Sequence, residues 1–448
     1  MRRLAVICML LLAALAAAVP AGAVAKKPDP VITTLSALQA RGGQTATDAT
    51  AWRSLYNKGK IAARHLSGSS QQNMKGVLGS LTSLAQRHLL GGRAYPAFLT
   101  LQRNVDWFWT RKKGPLAYGT RTTFPGSQII YEFYPGAGWQ LQPLANFGHL
   151  NGMLTLKHPK AGSLESYADE LLATGVTRHG FLAFEYYFPW SGGAPGWVSG
   201  MATATGMQAF STLAKRDGQS KYADAAHSML GVFQQGPPWG ITIQRPQGTF
   251  FLQYSQDKDL LVGNAYAQSI LGLDDYAVNS GDTTALDLVN QGVAAARKIL
   301  PLYDTGAWSL YFRSPSAPGH ESDLNYHQLF ESFLDEMCDR WQEPFCGEAA
   351  NFARYEKEPV KLTSLRARVD RKVKQLRIGF TVSKISAVTM RVMRGSKSVY
   401  TFGGSLARGG HKLSWPLPAK GSYQVVLSAK SLNGVSSSKT LDVSVPRR

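Results

Sequence analysis

Three tyrosines, Tyr254, Tyr311 and Tyr326, lie in turn-rich text near Arg313, His327 and Asn264. Residues of these types can move protons. A phenol ordinarily titrates near about 10, and a neighbouring cation lowers that value, so a tyrosine beside Arg313 or His327 could serve as acid or base. Asn264 offers an uncharged group that can orient a hydroxylated ligand. The chain has 18 tyrosines, and the residue types alone fit amphipathic rim positions equally well.

The elements that must position this set are legible around residues 300–330, LPLYDTGAWSLYFRSPSAPGHESDLNYHQLF. Residues 283–300 carry apolar side chains at helical spacing, and Pro301 ends the pattern. The helical period resumes at YHQLFESFLDEMCDRW. Between them Asp304-Thr305-Gly306 makes a tight turn and residues 308–312 read as a short strand, on which alternation points Tyr311 and Arg313 to one face. Loops held between rigid helices are a common place for chemistry.

The same text resembles the C-terminal domain of the D-glucuronyl C5-epimerase family, in LPLYDTG, the Tyr of SLYFR and the Tyr-His pair of LNYHQLF. A second block, FLQYSQDKDLLVGNAYAQSILGLDDY, agrees in order and spacing, and GWVSGMATATGMQAFSTLAKRDG agrees more weakly. An ordered set is far more specific than one motif. The resemblance implies an α/α-toroid-like helical domain, with catalytic tyrosines at Tyr254, Tyr311 and Tyr326 and an arginine for the substrate carboxylate at Arg313, shifted by one. The chain departs from the family at Gln253, where animal members have an acidic residue, at Asn325 in place of Asp, and at Phe330 in place of a second His.

The chemistry so implied is abstraction of the hydrogen at C5 of a uronate, α to its carboxylate, and return of a proton from the opposite face. The carboxylate must be neutralised, here by Arg313 or His327, while Asn264 orients the sugar. The expected substrate is a glucuronate-containing acidic polysaccharide. Two other readings stay open. Departure of the C4 oxygen before reprotonation would make the protein a polysaccharide lyase, and loss of turnover would leave a polysaccharide-binding protein on the same scaffold.

Upstream, YPGAGWQLQPLANF suits a sugar-binding wall, with Trp139 stacking and Gln142 reaching hydroxyls, or else its aromatics are core. Glu185 stands among aromatics in FLAFEYYF. It either replaces the acid missing at Gln253 or is a paired structural carboxylate.

The whole chain of 448 residues has a net charge of +20, 44% hydrophobic and 17% charged content, and suits a globular protein of two or three domains. Residues 1–25 read as a secretory leader, with Arg2, Arg3, an apolar run and cleavage near Ala23 or Ala25. A soluble, secreted or extracytoplasmic protein without a stable membrane span follows. The remaining cysteines, Cys338 and Cys346, are expected to form a local disulfide in an oxidising compartment, with two reduced, buried thiols as the alternative. Residues 26–358 read as the mainly α catalytic domain, interrupted by a β-hairpin insertion. Residues 359–448 alternate over about seven strands, as in an immunoglobulin-like β-sandwich. That module holds 18 Lys or Arg against two Asp, so it carries +16 of the charge. It is expected to bind an anionic cell-envelope polymer. Nucleic acid is disfavoured because the charge lies on a secreted module. Metal, phosphate-loop and dinucleotide motifs do not occur, so no cofactor is expected. The sequence leaves the oligomeric state open.

Overall fold

A computed structural model describes residues 27–416 and 418–445; the leader expected at residues 1–25 lies outside the described residues. The chain begins with four helices, Pro30–Gln39, Gly43–His65, Gly68–Gln86 and Leu90–Asn104, each burying an apolar stripe. The Asp29 carboxylate caps the first by accepting from Val31 and Ile32 N–H. An antiparallel sheet follows, from Arg121–Thr122, Tyr131–Tyr134 and Gly138–Leu141, with Phe133 opposite Trp139 and Glu132 opposite Gln140.

Four helical hairpins then succeed one another. Their first helices are Pro143–Leu154, Gly200–Asp217, Gly263–Ser280 and Leu324–Trp341, which pack side by side in chain order as an inner layer. Their second helices, Ser163–Leu172, Ser220–Met229, Thr283–Ile299 and Phe345–Lys357, each pack against their own partner. The inner Gly263–Ser280 helix is buried on nearly every side from Gly263 to Leu273, as a helix covered by neighbours all round must be. Each fully buried Ile or Leu in it contributes roughly 1.5–3 kcal/mol of transfer free energy.

Small residues set the spacing of that layer. A Cβ on Gly272 would lie 2.6 Å from the Ala204 carbonyl oxygen, so the two helices touch backbone to backbone. Gly218 and Gly281 take left-handed conformations just past two inner helices, with φ of 67° and 71°. Cys338 and Cys346 form a disulfide across the turn between the last two helices.

Short strands connect the hairpins. Leu261–Val262, Leu310–Arg313 and His320–Glu321 form one three-stranded sheet, in which Phe312 pairs with His320 while Leu310 pairs with Glu321. Tyr311 is therefore the extra residue of a bulge. From residue 362 the chain is all β, in sheets of three and four antiparallel strands around a separate apolar core that includes Leu376, Ile378, Val425 and Leu427. Among the described residues no helix is long and apolar enough to cross a membrane.

The β region is locked onto the helices. The Glu321 carboxylate accepts from Ile385 N–H at 3.0 Å and from Arg408 N–H at 2.7 Å. Lys384, 1% exposed, donates to the carbonyls of Tyr355 and Glu358, with its ammonium 5.1 Å from the Trp308 ring centre.

Candidate active site

The cavity that gathers the candidate tyrosines has a volume of about 250 Å³ and is lined from two directions. The hairpin insertion contributes Arg121, Glu132, Tyr134 and Gln142; the later elements contribute Tyr254, Asn264, Tyr311 and Tyr326. Tyr118 and Trp190 stand at the rim, rings stacked 6.4 Å apart, and Tyr186 stacks flat on Trp197 at 4.0 Å.

Strand alternation explains the hairpin face. Glu132 and Tyr134 point one way, and Tyr131 and Phe133 the other, toward the core. Trp139 faces Phe133 and packs against Trp107 and Phe124, fully buried, so it is core and does not line the cavity as the sequence reading expected. Tyr134, part of the expected wall, and Glu132, which that reading missed, lie on the opposite face of the same hairpin. Period two within IIYEFY was the signal that could have found them. Arg121 and Glu132 are cross-strand partners with Nε to Oε2 at 2.7 Å. They are the only Lys or Arg and the only carboxylate among the lining residues.

A hydrogen-bond chain fixes this wall. Leu144 N–H donates to the Tyr186 hydroxyl, which donates to Gln142 Oε1 at 2.8 Å; Gln142 Nε2 donates to the Tyr134 hydroxyl at 2.7 Å. Burial first, and then the Glu132 charge, hold the Tyr134 phenol well above its ordinary range.

On the opposite wall the Tyr311 and Tyr326 rings lie 4.6 Å apart, and Tyr254 packs edge-on against Trp197. The sequence reading expected cations to lower these phenols. The structure reverses that for two of them: burial raises Tyr311, further supported by the neighbouring Tyr254 hydroxyl, and burial raises Tyr326. Both are therefore neutral donors in the free protein. Asn264, at the start of its helix and 2% exposed, has a buried Oδ1 with no hydrogen-bond partner.

Neither expected cation faces the cavity. His327 follows Tyr326 on a helix, where successive side chains are turned about 100° apart and share no face. It is fully buried, stacked on Trp308 at 3.6 Å, with Nδ1 against Ser309 Oγ and Nε2 against the Phe352 carbonyl. Burial lowers its pKa to about 4. Arg313 lies over the Tyr303 ring and lines a separate depression with Arg245 and Leu302. The bulge at Tyr311 breaks the alternation that would have kept the two side chains together. Glu185 also misses the cavity. It is fully buried between Arg93 and Arg178, the paired structural carboxylate.

The three departures from the family pattern have distinct surroundings. Gln253 lines the cavity and accepts from Ser199 Oγ at 3.1 Å, beside the cap of the Gly200–Asp217 helix. Asn325 is exposed, and Phe330 is core, so close to Gly263 that a Cβ there would meet its ring at 2.7 Å. Among the described residues one His and carboxylate cluster, His327, Glu331 and Glu356, brings ligand atoms within 4.8 Å of one another. Both His327 nitrogens are already hydrogen-bonded, which leaves that ring no free lone pair for a metal.

Residues 179–351 match the family described as D-glucuronyl C5-epimerase C-terminus. An uncharacterized protein of Methanocaldococcus jannaschii is 24% identical over 151 residues, covering 33% of this chain and 48% of the relative. The D-glucuronyl C5-epimerase of Caenorhabditis elegans is 25% identical over 175 residues, covering 33% and 28%. The chain thus spans less than half the length of these curated relatives. A crystal structure titled as a sugar epimerase from a ruminal bacterium is 11% identical with a TM-score of 0.41, over 68% of this chain and 76% of that one. The unsaturated glucuronyl hydrolase of Bacillus sp. GL1 is 11% identical with a TM-score of 0.33, over 73% and 82%. Both structural likenesses are weak.

Proposed function

We propose, from the premise that residues 179–351 place this chain in the D-glucuronyl C5-epimerase family, that the protein is a uronate C5-epimerase acting on a glucuronate-containing polysaccharide. The observation that carries the reading is the meeting of Tyr254, Tyr311 and Tyr326 with the Arg121–Glu132 pair around one cavity. Arg121, on the hairpin, takes the carboxylate-neutralising role assigned in sequence to Arg313. Its guanidinium is over half exposed while Glu132 is buried, so an entering uronate carboxylate can compete for it.

Glu132 then acts as base, taking the C5 proton while the electron pair moves into the carboxylate to give an enediolate. The neutral phenol of Tyr326, beside Tyr311, returns a proton to the opposite face of C5. Tyr326, 42% exposed at the mouth, recovers its proton from water, and Glu132 releases the abstracted proton to water as the product leaves. Tyr254, Gln142 and Asn264 hold the sugar. The inner and outer helical layers fit an α/α-toroid-like arc. The leader and the Cys338–Cys346 disulfide support work outside the cytoplasm. The basic β region from about residue 359 would meet an anionic envelope polymer.

Incubation with glucuronate polymers in deuterated water tests this. Deuterium at C5 with the chain intact is the expected result. An unsaturated uronate product would make the protein a lyase, and binding without exchange on every uronate polymer would leave a carbohydrate-binding protein.

A further inference from the structure

The depression that Arg313 lines has a volume of about 340 Å³ and shares no residue with the cavity. Neighbouring residues of the short three-stranded sheet divide between the two. Val262 and Tyr311 line the cavity, while Leu261 and Arg313, which are cross-strand partners, line the depression. Consecutive strand residues point to opposite faces, so the sheet stands between the two spaces. The depression is completed by the turn Pro246-Gln247, which joins Thr242–Arg245 to Gly248–Phe251, and by the end of the Thr283–Ile299 helix with the turn Leu300–Tyr303.

Two guanidiniums meet there, and no carboxylate lies among the lining residues. Arg313 lies over the Tyr303 ring, 6.0 Å from its centre, and among the described residues it makes no ion pair or hydrogen bond. Arg245 is tied on one side only: Nη2 donates to the Lys258 carbonyl and meets Asp259 Oδ1 at 3.5 Å. Asp259 is half exposed and outside the depression, so solvent screens that pair. The Arg245 Nε is buried and has no acceptor, a costly state for a donor in the absence of a ligand. Burial raises the Tyr303 phenol and the charges of Arg313 and Arg245 oppose that rise, so both arginines act on one ring. The rest of the lining is mostly hydrocarbon, from Phe250, Leu261, Ile299 and the 41% exposed Leu302. The Tyr303 hydroxyl is already engaged by the Leu261 carbonyl, and Ser314 Oγ by Ser316, which leaves Gln247 as the one uncharged polar side chain without a partner.

We propose that this depression is a second binding site, for a small amphipathic anion: a monocarboxylate on a hydrocarbon body, its head group on Arg313 and Arg245 Nε and its hydrocarbon over Leu302 and Phe250. A guanidinium held flat on an aromatic ring keeps its N–H edge free for a carboxylate, and such charge-assisted bonds are the strong ones. A sugar is a poor occupant, because its hydroxyls would be covered by apolar side chains with almost nothing to bond. The volume is at the low end for a ligand pocket and suits one small molecule. Binding there is independent of C5 chemistry and stands whether or not the protein turns over a uronate.

Calorimetric titration with octanoate tests it, with inorganic sulfate and 1-octanol as probes of the charge alone and the chain alone. Octanoate should bind with one-to-one stoichiometry and a Kd at least about tenfold below that of either probe. Arg313→Gln should raise that Kd at least about tenfold. Gln247→Glu should do the same without removing a guanidinium, because Gln247 is exposed at the hairpin turn and its new carboxylate would compete for the arginines. Unchanged melting temperatures report that both variants are folded. No saturable binding of octanoate would overturn the site. Sulfate as tight as octanoate would reduce it to a plain anion contact, octanol as tight as octanoate would reduce it to apolar adhesion, and binding intact in both variants would put octanoate elsewhere; each of these overturns the proposal. Displacement of octanoate by a glucuronate-containing hexasaccharide would overturn it too, by making the depression part of the polymer's path.

Discussion

At the scale of single residues, the proposed mechanism separates groups that sequence alone could not. Tyr326→Phe and Glu132→Gln should each reduce C5 exchange by on the order of a hundredfold or more, since each removes one of the two proton-handling groups. Tyr254→Phe should raise KM more than it lowers kcat, as expected for a group that holds the sugar. Measurement of kcat and KM by deuterium incorporation checks this. Equal, small losses in all three, in step with lowered melting temperature, would mean that these residues are packing. The tyrosines were legible because the family blocks carry them in order. The carboxylate and cation were not, because Glu132 and Arg121 lie outside those blocks on a hairpin where only strand alternation distinguishes Glu132 from Trp139. His327 and Arg313 misled for a shared reason: adjacency in sequence says little about which face a side chain takes.

Single elements carry their own consequences. The Leu324–Trp341 helix puts Tyr326 at the cavity and turns His327 into the core, where only the neutral ring is accommodated. Its folded pKa of about 4 lies below the unfolded value, so the unfolded chain binds the extra proton between about 6.5 and about 4. The stability His327 contributes is complete above that window and is lost as pH falls through it, by on the order of 3 kcal/mol in full. Glu348, raised to about 7 by burial and by the nearby carboxylates of Asp304 and Glu343, acts in the opposite sense, losing stability as pH rises toward neutrality. The contribution of His327 is therefore best isolated by difference. Denaturant melts of wild type and His327→Phe between pH 4 and pH 7.5 should diverge as pH rises. Parallel curves would show that the ring is protonated in the folded protein. The bulge on the Leu310–Arg313 strand could not be read from sequence at all, because it is set by how that strand pairs with His320–Glu321.

Across the whole molecule, the division into a helical body and a β region with its own core follows the change of hydrophobic period, from helical spacing to alternation. Sequence did not disclose the contact between them. The Lys384 stem enters the helical body and its ammonium satisfies two carbonyls beside Trp308, which stacks on His327 one residue from Tyr326. Lys384→Met should leave those carbonyls without a donor and cost about 2 kcal/mol or more. Removal of residues 359–445 should slow exchange even on soluble oligosaccharides, for which anchoring is irrelevant. A truncated protein with undiminished rate and melting temperature would show that the β region is a detachable anchor.

The contact at Gly272 sets a dimension. Where interlocking side chains separate two helices, a change of rotamer can widen or narrow the gap. Between Gly272 and Ala204 there is no rotamer to change, only backbone against backbone and one methyl group. These two helices carry Asn264 and Met201, so part of the cavity wall is held at a separation that a ligand has little means to adjust. The cavity works as a fixed gauge. A sugar is accepted or refused by its own girth, with little help from closure around it.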